Sequence, residues 1–74
     1  MSRFVEPSEL GAVAAHNGLQ VEVEPCTKAL FLRRNSGGPR ASVAFAQSGL
    51  IDLSETFRRV LSVCYGHGVG RRAG

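Results

Sequence analysis

The chain has no tryptophan, one tyrosine, one methionine and two cysteines in 74 residues. Each scarcity removes something. With Phe4, Phe31, Phe45, Phe57 and Tyr65 as the only aromatic rings, a core must be built largely from alanine, valine and leucine, the smaller of which bury little area apiece. Such a core at this length predicts marginal monomer stability, relieved by self-association as a homodimer or by a partner. Cys26 and Cys64 are too few for a disulfide framework. Cys64 and His67 make only one close ligand pair, where zinc sites usually show two, so no metal is expected. No run of about 18 apolar residues exists to span a membrane. Met1-Ser2-Arg3-Phe4 lacks the apolar core of a signal peptide, which predicts a cytoplasmic location.

Catalytic signatures are missing too. A Cys64–His67 nucleophile would have no third, orienting group. Gly66, Gly68 and Gly70 follow a helical pattern rather than opening one, the wrong context for a phosphate-cradling loop. A single domain of this size has no cleft between domains. The sequence predicts a protein that is not an enzyme and uses no cofactor.

What is present is a globular composition, 43% hydrophobic and 20% charged, with net charge +3. The charge is unevenly divided. Through Pro25 the chain carries Arg3 against Glu6, Glu9, Glu22 and Glu24; from Cys26 onward it carries Lys28 and seven arginines against Asp52 and Glu55. This predicts a two-signed surface with a cationic side open to an acidic partner.

Periodicity predicts a short helix over about 7–16, since Leu10, Val13 and Ala14 share a face, Pro7 suits the first turn and Asn17-Gly18 is a stop. Leu19 to Glu24 alternate strictly, the pattern of a strand with one buried face. Lys28 to Arg34 are apolar on both sides through Ala29, Leu30, Phe31 and Leu32, which predicts the central strand. Ala41 to Gln47 form a third, with Val43 and Phe45 on one face. Asp52-Leu53-Ser54-Glu55 has capping-box spacing and opens a helix to about Tyr65, with Leu53, Phe57, Val60, Leu61 and Cys64 on its core stripe. The prediction is one α+β domain over 1–66, ordered helix, three antiparallel strands, helix (α-β-β-β-α), with both helices on one face. Residues 67–74 read as a flexible Gly/Arg tail.

The most specific stretch runs from Leu30 to Phe45. It joins two apolar runs through Asn35-Ser36-Gly37-Gly38-Pro39, edged by Arg33, Arg34 and Arg40. Guanidinium groups at a hairpin tip suit carboxylate or phosphate. They also suit plain solvation of a turn that resists edge-to-edge pairing. Arg58 and Arg59 on the last helix point away from its stripe and extend the positive surface. The expected activity is non-enzymatic binding: this surface docks on a larger, acidic protein complex and blocks it. The alternative is direct DNA or RNA binding in a regulatory role.

In element order and length, residues 7–65 resemble the double-stranded RNA-binding domain. That family contacts phosphates through a Gly-Pro-x-His loop and a lysine cluster opening the second helix. Here those places hold Pro25-Cys26-Thr27 and Leu53-Ser54-Glu55-Thr56. Residues 19–63 also resemble the three-strand-plus-helix arm-binding domain of phage integrases, through Leu30 to Arg34, Gly37-Gly38 and Leu53-Ser54. That resemblance implies a sheet placed in a DNA groove. In size and style alone, the chain is similar to small phage-encoded accessory proteins, including the anti-CRISPR proteins that jam a nucleic-acid-handling complex. This last resemblance implies an inhibitor and assigns no residues.

Overall fold

Alternation along Leu19–Val23 produces the first strand of the main sheet, and the computed structural model, which describes residues 3–66, shows what surrounds it. The expected tail at 67–74, with Arg71 and Arg72, lies outside the described residues, as does His67. In chain order the elements are β1 (Phe4–Val5), a 3-10 turn (Pro7–Glu9), α1 (Leu10–His16), β2 (Leu19–Val23), β3 (Leu30–Arg34), β4 (Arg40–Ser42), β5 (Ile51–Asp52) and α2 (Leu53–Cys64). The main sheet is antiparallel in the order β2-β3-β4, and β1 pairs with β5 in a small second sheet. This is the expected α+β architecture, with β3 central.

Register decides which residues face the helices. Leu19 lies opposite Arg34, Val21 opposite Leu32 and Val23 opposite Leu30, while Leu32 also faces Ala41. Directly opposed residues share a face, so these form the covered side. Leu10 and Ala14 from α1 and Leu53, Val60 and Cys64 from α2 pack with Leu19, Leu32, Ala41 and Val43 in one core, completed by Val5 and Ile51. Both helices therefore cover the same face. The other face carries Gln20, Glu22, Phe31, Arg33, Arg40 and Ser42, and no helix or strand among the described residues covers it.

Several boundaries differ from those read in the sequence. The first helix starts with the 3-10 turn at Pro7–Glu9, and regular α-helix begins only at Leu10. Its stop is as expected: Gly18 has φ +70° and the Asn17 side-chain amide donates to the Val13 carbonyl at 2.8 Å. β3 begins at Leu30 rather than Lys28, because Lys28 has φ +64° and donates its N–H to the Glu24 carbonyl at 2.7 Å, closing the β2–β3 turn. Glu24 holds that turn from its side chain, accepting from the Cys26 and Thr27 amides, each at 2.8 Å.

The third strand is short, Arg40–Ser42 in place of Ala41 to Gln47. Val43 donates to the Leu30 carbonyl at 3.0 Å, and the Ala44 N–H, on the outer edge of the strand, donates to the Thr56 hydroxyl at 2.9 Å; the next β3 position, Lys28, lies in the β2–β3 turn, so the ladder stops there. Phe45 then bridges to Ile51 and is 50% exposed instead of sharing a buried face with Val43. On α2 the inward arc is Leu53, Thr56, Val60 and Cys64, so Leu61, expected on the core stripe, is exposed. Only the forward half of the capping box forms among the described residues. The Asp52 carboxylate accepts from the Glu55 amide at 3.1 Å, while the Glu55 carboxylate is held by Arg58 and Arg59.

Candidate functional site

The open face of the main sheet is where the hairpin arginines meet, and strand parity sorts them. Arg33 and Arg40 are directly opposed across β3 and β4 on this face, next to the row Glu22, Phe31, Ser42. Arg34, one residue on, falls on the helix-covered side at the strand end, where its guanidinium lies 4.7 Å from the centre of the Tyr65 ring. The hairpin arginines therefore do not form one cluster.

Glu22 ties the open face together. Its carboxylate ion-pairs with Arg33 through Oε2 and with Arg40 through Oε1, the latter at 3.6 Å. The Arg40 guanidinium also lies over the Phe31 ring, 4.0 Å from its centre, so it is held from below by the ring and from the side by the carboxylate. Arg33 Nε is packed out of solvent and meets no acceptor among the described residues, so Glu22 does not use all of that guanidinium's donors.

The helix arginines form a second pairing around Glu55. Arg58 binds it through Nε at 3.0 Å and Nη2 at 2.5 Å, and Arg59 through Nε at 3.3 Å. These bonds, Arg58's first, hold the Glu55 carboxyl below its ordinary range and raise Arg58. Arg59 also reaches past the β4 edge, donating from Nη1 to the Ser42 hydroxyl at 2.9 Å. Ser42 lies in the open-face row, so Arg59 borders the Arg33–Glu22–Arg40 group and Arg58 stays on the helix side.

Of the five arginines expected to make contact, the structure joins Arg33 and Arg40, adds Arg59 at the rim and separates Arg34 and Arg58. Two glutamates serve four of these arginines, and Arg34 pairs with no carboxylate among the described residues, so a cationic excess remains. At this face the division of charge along the chain is crossed. Glu22, from the acidic first third, sits among the basic groups.

Sequence reasoning gave Phe31 to a strand apolar on both sides, without assigning it to the open face, and overlooked Glu22 as a contact group. Both were findable once β2, β3 and β4 were paired. Phe31 has the opposite parity to Leu30 and Leu32, so it belongs to whichever face the helices leave open. Cys64 is buried and its thiol is pushed up by desolvation, which suits a core residue; it approaches the Pro39 carbonyl at 3.4 Å. Among the described residues no group of three His, Cys, Asp or Glu side chains is placed to hold a metal ion. No helix among them is long and apolar enough to cross a membrane. Compared with known families, curated proteins and solved structures, the chain matches none.

Proposed function

We propose that this chain is a non-enzymatic binding module. Its open sheet face, Phe31 with Arg33 and Arg40 and with Arg59 at the rim, docks on an acidic patch of a larger protein assembly and blocks it by occupancy. The observation that carries this reading is the bracing of Arg40 by Phe31 and Glu22. An arginine already held over a ring loses little side-chain freedom on binding, and arginine beside an aromatic group is a favoured hot-spot composition.

Glu22 sets a protein ahead of a nucleic acid. A carboxylate between two guanidinium groups repels a phosphate backbone, whereas on a protein it can meet a basic or amide group while the arginines meet acids. Resemblance in size and style to anti-CRISPR proteins suggests a complex that itself handles nucleic acid as the target.

Two assays test the reading together. A gel shift with mixed DNA and RNA is expected to show no complex even at low salt. A shift that collapses between about 50 and 200 mM salt would assign the face to nucleic acid instead. Affinity capture from the cells that encode the chain is expected to yield a protein partner retained by wild type and lost from Arg33→Glu/Arg40→Glu. Equal retention by both would reject the site.

A further inference from the structure

β2 is an outer strand, and among the described residues only one of its edges is paired. The Gly18 carbonyl accepts from the Asn35 amide at 3.0 Å, and the Glu24 amide donates to the Ala29 carbonyl at 2.9 Å, both toward β3. In an antiparallel ladder alternate residues turn their backbone groups to opposite edges. The even positions from 18 to 24 therefore face β3, and Leu19, Val21 and Val23 aim N–H and C=O outward.

Among the described residues few of the usual protections of an outer edge are present, and Glu22 is the one charged side chain of the strand. Between residues 19 and 23 there is no proline, no lysine and no break in register, and Val23 at the strand end is 53% exposed.

We propose that this edge pairs antiparallel with β2 of a second copy of the chain, about a two-fold axis at Val21. The sheet then runs β4-β3-β2-β2-β3-β4 through both copies. The register follows from the residues. With Val21 opposite Val21, each Leu19 faces the other copy's Val23, and about six outward backbone groups on each side find partners. On the open face Gln20 then lies opposite Glu22, an amide donor against a carboxylate. Sliding by two residues in one direction sets Glu22 against Glu22 and Leu19 against Pro25, which has no N–H to give. Sliding the other way leaves Val23 outside the paired strand. Charge and hydrogen bonding thus select the Val21-centred register. Beside the seam, the exposed residues of α1 from Leu10 onward are Gly11, Ala12, Ala15 and His16, small but for the histidine, so the neighbouring helices can approach. Pairing would set two Arg33–Glu22–Arg40 groups side by side on one continuous face.

Sedimentation of the full chain across concentration, with amide exchange, tests the pairing. The expected result is a concentration-dependent dimer. Leu19, Val21 and Val23 amides should gain protection as it forms, while Gln20 and Glu22 are protected at every concentration. Val23→Lys, at an exposed position, should weaken association by about tenfold or more with an unchanged far-UV spectrum. Val21→Pro, which removes an outward N–H, should abolish it. A chain that stays monomeric to about 1 mM overturns the proposal, even if its edge accepts a strand from another protein. So does a dimer that survives Val23→Lys, since its seam lies elsewhere.

Discussion

The guanidinium carbon of Arg40 lies 4.0 Å from the centre of the Phe31 ring, although the two residues are diagonal neighbours across β3 and β4 rather than direct partners. Phe31 sits opposite Ser42, whose short side chain leaves the ring uncovered from that side. The arginine fills the space, shielding an aromatic ring on the face that the described helices leave open. Cation–π contacts at such partly exposed sites are worth about 0.5–1 kcal/mol.

A double-mutant cycle with Arg40→Ala and Phe31→Leu should accordingly return a coupling of about 0.5–1 kcal/mol in urea unfolding. Additive single effects would mean that ring and guanidinium act independently in solution.

Thr56 is fully buried on α2, and its hydroxyl accepts the Ala44 N–H where the chain leaves the main sheet. Thr56→Val keeps the shape and strands a buried donor, which should cost about 1–3 kcal/mol. Thr56→Ser keeps the acceptor and should lose less than the valine variant. If urea denaturation ranks the two the other way, packing of the methyl group rather than the bond holds the turn.

Removing the Asp52 cap should weaken α2. Its carboxylate satisfies the Glu55 amide at 3.1 Å, and Asp52→Ala should destabilise by about 1 kcal/mol while Asp52→Asn stays near wild type. Equal losses in both would point to the charge, not the hydrogen bond.

Acid should destabilise the fold through Glu24 and Glu55. The Thr27 amide, chiefly, lowers Glu24, and the Arg58 hydrogen bond, chiefly, lowers Glu55, both from the ordinary value of 4.5. As pH falls through 4.5 the unfolded chain takes up protons first, while the folded carboxylates stay ionised. Their stabilisation is therefore complete above that value and lost as pH descends through the folded values. Unfolding midpoints measured from pH 6 downward should fall over that window. The fall should shrink in Glu24→Gln/Glu55→Gln, and an unchanged slope would place the acid sensitivity elsewhere.

Much of the fold was legible because its signals are local. The alternation at Leu19–Val23, the apolar run before Arg33 and the stop at Asn17-Gly18 each depend on neighbouring residues. The early end of β4 was not legible in its own residues, because it is set by its partner: β3 starts at Leu30, Lys28 at φ +64° belongs to the β2–β3 turn, and Phe45 therefore has no β3 residue opposite it. β1 and β5, at two residues each, are too short to show a period. The candidate site was half legible. Arg33 and Arg40 could be named from composition. The presence of Glu22 between them depends on register, which joins residues that charge counting along the chain had set apart.

In the proposed function the open face, and not the hairpin as a whole, makes the contact. Once a captured partner is in hand, its affinity for the full chain should be measured by titration calorimetry against two charge reversals. Arg33→Glu/Arg40→Glu should weaken binding by about a hundredfold or more, roughly 3 kcal/mol, while Arg34→Glu, on the covered side beside Tyr65, should change it by less than about threefold. Equal losses from both, or no loss from the first, would contradict the account.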